Sequence, residues 1–136
     1  MPPQWPDDLT LNCDVPPMFN QDGADKVTPV ARVTRAGIVA SVEFIPAWNL
    51  TGVNTNSRTF TLYNRGSAGA GTTAIATLAM TSGTNLSKFV PATITLGAGA
   101  NRTLAVGDIL EWESLHVGNG IADPGGRLIV QQSYAP

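Results

Sequence analysis

From Val30 onward, apolar and polar residues alternate with a period of two, which predicts strands rather than helices. Ile38, Ala40, Val42 and Phe44 fall on one face of a first strand, with Val39, Ser41, Glu43 and Ile45 on the other. Phe60 and Leu62 alternate with Thr59, Thr61 and Tyr63 in a second, which runs into the turn signal Asn64-Arg65-Gly66. The glycine-rich stretch 66–71 then supplies a loop, and the β-branched and alanine-rich run Thr72 to Thr81 returns as the other half of a hairpin. A short strand is expected over 92–96, ended by Gly97-Ala98-Gly99. A longer one runs from Gly107 to Leu115, with Leu110 and Trp112 opposite Glu111 and Glu113, and a last one runs from Leu128 to Gln132. Short strands punctuated by Gly, Pro and Asn, with no helical stripe, predict an all-β fold: an antiparallel β-sandwich, jelly-roll or immunoglobulin-like. Its expected core is Ile38, Val42, Phe44, Phe60, Leu62, Leu78, Ile94, Leu110, Trp112, Leu128 and Val130.

Residues 1–29 break this pattern. They hold six of the ten prolines (Pro2, Pro3, Pro6, Pro16, Pro17 and Pro29), each of which fixes a backbone angle and removes an amide donor. Neither a helix nor a central strand suits such a stretch, so an extended N-terminal arm is expected over 1–29 and a sandwich domain over 30–136. The arm also carries Trp5, Leu9, Leu11, Val15, Met18 and Phe19, more apolar bulk than a solvated linker tolerates. Such a segment needs a surface to lie on, either the chain's own domain or a neighbouring subunit. On the second alternative Trp5, Leu9, Leu11, Met18 and Phe19 become partner-binding residues.

Charged residues make up only 13% of the chain, about half the usual share, so the surface is built from Thr, Ser, Asn, Gly and Ala. A surface of that kind loses little when it is covered by another protein. The net charge of −2 is uneven: residues 1–29 hold Asp7, Asp8, Asp14, Asp22 and Asp25 against Lys26 alone. Neither part has the clustered Lys and Arg that a phosphate backbone requires, which argues against nucleic acid as a partner. No basic-then-apolar leader opens the sequence and no apolar run approaches the roughly 18 residues that span a bilayer. The expectation is a protein made and kept in a cytosol-like compartment, without membrane contact, in which the sequons at Asn49, Asn85 and Asn101 are ordinary surface residues. Cys13 is the single cysteine and reads as a small apolar residue rather than a reactive thiol.

Candidate chemistry is sparse. His116, the one histidine, has no neighbouring motif that nominates a nucleophile and an orienting acid. Glu111 and Glu113 share a strand face and, with Asp108 or Asp123, could form an acid pair or a calcium site. Side-by-side carboxylates do not flank a substrate, however, and a hard cation wants more oxygens, so the face reads as solvated. The Gly-rich stretches lack the context of a phosphate loop. Trp48, in the loop Pro46-Ala47-Trp48-Asn49-Leu50, is the remaining aromatic candidate for a partner contact, or with Tyr63 for a sugar platform. No enzyme activity, cofactor or metal is expected.

The run Gly107-Asp108-Ile109-Leu110-Glu111-Trp112-Glu113-Ser114, followed by Val117-Gly118-Asn119-Gly120-Ile121-Ala122-Asp123-Pro124-Gly125-Gly126, together with residues 57–66 (Ser-Arg-Thr-Phe-Thr-Leu-Tyr-Asn-Arg-Gly), resembles small head proteins of tailed bacteriophages. The resemblance extends over roughly residues 30–132. It implies a capsid decoration, or cement, protein: a β-rich subunit on the capsid exterior of the virion that clamps neighbouring major capsid proteins. A homotrimer would match the three-fold junctions of a capsid lattice. The alternatives are a carbohydrate- or receptor-binding module on the virion, or a head fibre or tail component.

Overall fold

The computed structural model describes residues 8–18 and 24–134. Twelve strands, β1 (Asp8–Val15), β2 (Lys26–Arg32), β3 (Gly37–Pro46), β4 (Leu50–Thr51), β5 (Ser57–Asn64), β6 (Thr73–Ala79), β7 (Asn85–Leu86), β8 (Ala92–Thr93), β9 (Thr95–Leu96), β10 (Thr103–Leu104), β11 (Ile109–Val117) and β12 (Gly126–Tyr134), are joined by turns and a 3-10 turn at Gly99–Arg102. The first sheet runs β1-β12-β3, with β8 and β10 both paired to the far edge of β3, and the second runs β2-β11-β5-β6-β9. All pairings are antiparallel. An immunoglobulin-like sandwich would place its first two strands in one sheet. Here β1 and β2 go to opposite sheets, each beside one of the last two long strands, which is the order of a jelly roll.

The segment 92–96, expected as one strand, is two. β8 pairs with β3 in the first sheet, Ile94 turns inward with its amide donating to Val42 O (2.9 Å), and β9 pairs with β6 in the second. One edge of the sandwich is thereby closed by a single chain crossing between sheets, and Ile94 is fully buried at the corner.

Between the sheets lie Val42, Phe44, Phe60, Leu62, Ile94, Leu110, Trp112, Leu128 and Val130, all buried as expected. Ile38 and Leu78 are only half-buried; Leu78 still packs against the core opposite Phe60, whereas Ile38 is displaced by register. Gln131 pairs with Ser41 and Gln132 with Val39, so Ala40 has no partner, and this bulge reverses the alternation. Val39 rather than Ile38 therefore enters the core. In β6, Ala76 faces Leu62 and Ala74 faces Tyr63, so Ile75 is the extra residue, and Ile75 and Ala76 are buried in succession. A third bulge leaves Val30 of β2 unpaired between Ala31 and Pro29. At each bulge a carbonyl accepts from a donor outside the interrupted ladder: Val39 O from Arg102 Nη1 (2.8 Å), Ile75 O from Gly97 N (2.7 Å) and Val30 O from Cys13 Sγ (2.9 Å). These three carbonyls thus keep a partner where the ladder is interrupted.

The expected arm is, over its described part, divided between the two sheets. β1 is an edge strand along the whole length of β12, with Leu9, Leu11, Cys13 and Val15 turned inward in alternation, and the boundary expected at residue 29/30 falls inside β2. Pro16 and Pro17 stand just past the end of β1, where an edge strand tolerates them. Leu11 packs against the chain's own core and Val15 is part of it. Trp5 and Phe19 lie outside the described residues.

Candidate functional site

At the end of the sandwich where β11 stops and β12 begins, the interior changes from apolar to charged. Arg58 is in phase with Phe60 and Leu62 on β5, so the alternation that buries them also buries its guanidinium completely. Arg58 Nε donates to Ile121 O (2.8 Å), and Nη1 donates to Ala24 O (3.0 Å), to Ser114 O (3.3 Å) and to Ser114 Oγ (3.2 Å). Burial pushes this guanidinium down from its ordinary value, and the carboxylates of Asp123 and Asp25 oppose the shift.

Asp123 is the second buried charge. Its Oδ1 accepts from Gly125 N (2.8 Å), which closes the Asp-Pro-Gly turn, and its Oδ2 lies 3.3 Å from Lys26 Nζ. Lys26 also donates to the carbonyl of Pro16. Asp123 and Met18 exchange both backbone hydrogen bonds, at 2.9 and 3.0 Å. Met18, a candidate partner-binding residue, is thus a half-buried bridge between the segment after β1 and the loop 118–125. Together these groups tie four segments around one buried ion cluster.

His116 sits at the rim of the cluster. Asp25 Oδ1 accepts from the His116 backbone N–H (2.8 Å) and lies 2.6 Å from Nδ1. Histidine and acid are therefore paired, a contact across 91 residues that no local motif could signal. The Asp25 carboxylate at Nδ1 fixes the orientation of the imidazole. The His116 backbone N–H, and then its ring, hold the Asp25 carboxyl below its ordinary value. A carboxylate lowered on folding contributes stability that is present above its unfolded value of about 3.9 and is lost as pH falls through the lower folded value. Asp25→Asn is expected to lower the urea midpoint at neutral pH and to flatten the acid limb of a midpoint-against-pH series. Identical acid limbs for the two proteins would remove Asp25 from the account.

The carboxylates read as a possible acid pair or cation site are dispersed. Glu111 and Glu113 face outward beneath Arg65, whose Nη2 is 2.5 Å from Glu111 and 4.0 Å from Glu113 and whose guanidinium stacks 4.6 Å from the Tyr63 ring centroid. The bond to Glu111 raises the Arg65 value further. Asp108 is used within its turn, accepting from Asn64 Nδ2 (2.8 Å) and Ala105 N (2.9 Å), and Asp123 is buried at the opposite end of β11. No group of three potential metal ligands comes together among the described residues. Cys13 is half-buried, and burial pushes its thiol up, against thiolate chemistry.

Trp48 is half-buried in the bend after β3, beside Ala47, whose amide donates to Gly125 O (3.0 Å). Tyr63 pairs with Glu111 at the other end of the sandwich, so the two rings do not form one platform. Exposed large apolar side chains, which the pattern alone did not single out, lie elsewhere among the described residues: Val27, Leu115 and Val117 on the outside of the second sheet, Phe89 and Val90 at the tip between β7 and β8, and Val106 in the turn before β11. Comparison with protein-family models, with curated proteins and with solved structures finds no match.

Proposed function

We propose that this chain is a structural subunit of a tailed-bacteriophage virion, a decoration protein that binds the outer surface of the capsid and stabilises contacts between major capsid protein subunits. The observation that carries this reading is the placement of its exposed apolar side chains in separate regions. Val27 lies across the ladder from Glu113, next to Leu115 and Val117, on the outer face of β2 and β11, while Phe89 and Val90 project from a loop tip that bonds to the end of β3. A protein that clamps two neighbours needs two contact regions, and neighbouring exposed apolar groups supply what each such region would bury. The same outer face is completed by Thr59, Thr77, Ala79 and Thr95, short side chains that lose little rotamer freedom when covered. The resemblance carried by residues 57–66 and 107–126 supports the same reading.

The test is cosedimentation of the purified protein with expanded capsids lacking it, from the phage that encodes it. Saturable binding at a fixed ratio to the major capsid protein is expected; no binding would overturn the reading. A second protein without residues 1–7 asks whether that segment contributes. Removing 1–29 would not answer the question, because it deletes β1 and half of β2 and with them one edge of each sheet. Sedimentation equilibrium of the free protein tests the trimer.

A further inference from the structure

Residues 87–91, Ser-Lys-Phe-Val-Pro, form the tip between β7 and β8. Phe89 is 68% exposed and Val90 54%. Among the described residues Phe89 is also the one non-glycine with positive φ, at 62°. For a bulky L residue that conformation is strained, and it persists only where the surroundings hold it. They do so here: Phe89 N donates to Pro46 O (3.0 Å), Val90 N to Ser87 O (3.0 Å) and Lys88 N to Asn49 Oδ1 (2.7 Å). Behind the tip, β4 and β7 pair through the buried residues Leu50 and Leu86, and Gly52 N donates to Asn85 Oδ1 (3.0 Å). Among the described residues, the most exposed large apolar side chain is thus held in a costly backbone state on a fixed mount. Neither exposure nor strain benefits the folded domain itself.

We infer that Phe89 and Val90 are a preformed anchor that enters an apolar pocket on a capsid shell subunit, a pocket rimmed by carboxylates that meet Lys88. This inference rests on the decoration reading and names the contact within it. Lys88 Nζ lies 4.8 Å from the Phe89 ring centroid and has no carboxylate partner among the described residues, so the anchor presents an uncompensated positive charge beside its apolar group. A bilayer would need a broader apolar surface than two side chains and Pro91. A fixed aromatic with a flanking cation fits the central contact of a protein interface, and its pre-set geometry reduces the ordering cost of binding.

The decisive variant is Phe89→Gly, because glycine suits φ 62° and removes the ring without imposing new strain. Its urea midpoint is expected to equal or exceed that of the unaltered protein, while its affinity for expanded capsids falls by about thirty-fold or more, as for a hot-spot aromatic. Lys88→Glu is expected to weaken binding as well, most strongly at low salt. Undiminished capsid binding by Phe89→Gly, with the unaltered protein binding, would overturn the anchor and leave the decoration reading standing. A fall in the urea midpoint of Phe89→Gly would make Phe89 a structural residue and overturn the anchor. Absence of binding by the unaltered protein would overturn both.

Discussion

Arg58→Ala is expected to destabilise the domain by about 3–5 kcal/mol, the cost of leaving several buried acceptors without their charged donor. The loss has two parts. The carbonyls of Ile121, Ala24 and Ser114 would lose the donor that satisfies them in a buried end of the core, and Asp123 would keep its charge with Lys26 alone. Arg58→Lys should restore little, since one ammonium cannot reproduce a planar fork reaching three carbonyls in different directions. Urea unfolding at neutral pH gives the measurement: a midpoint shift at constant slope is expected, and a shift under about 1 kcal/mol would show that the cluster is dispensable.

Trp112→Ala carries a comparable expectation, about 3–5 kcal/mol, for a different reason. Trp112, Phe44 and Phe60 form a mutually packed triad with centroids 5.5–5.6 Å apart, and Phe60 and Trp112 are nearly parallel at 11°. All three are fully buried and they join the two sheets, β3 contributing one ring and β5 and β11 the others. Removing the largest ring leaves a cavity that neither sheet can close without disturbing its own ladder. Trp112→Phe should cost far less, about 1–2 kcal/mol, because the buried indole Nε1 has no hydrogen-bond partner and its removal relieves a desolvated donor. Equal losses for the two variants would mean that the indole nitrogen is satisfied in solution.

The fold was legible wherever a period of two runs unbroken. Phe60 and Leu62, Leu110 and Trp112, and Leu128 and Val130 were placed inward by alternation alone. The same rule misassigned Ile38 and Val39, because a single unpaired residue, Ala40, inverts every position beyond it and leaves no compositional trace. It also held a signal that went unread: Arg58 stands two residues before Phe60 and so shares its face, and Leu9, Leu11, Cys13 and Val15 alternate between two groups of prolines as an edge strand would. Jelly roll and immunoglobulin orders could not be told apart beforehand, since the difference lies in pairings such as Asp8 with Ser133, far apart in the chain. The pairing of His116 with Asp25 and the strained Phe89 were invisible for the same reason: each depends on a contact made only after the sheets have met.

The position of β12 also bears on how the domain comes into being. β12 lies between β1 and β3, so these two strands have no partner in common until residues 126–134 have been synthesised. A nascent chain can form the β5–β6 hairpin early, but its first sheet must wait with two open edges. The pairings of the first sheet's three long strands then close together and across long loops, which slows folding and leaves unpaired strands available to other chains in the meantime. During rapid synthesis of many copies, the interval between the emergence of β3 and the arrival of β12 is the period in which this protein is most exposed to aggregation.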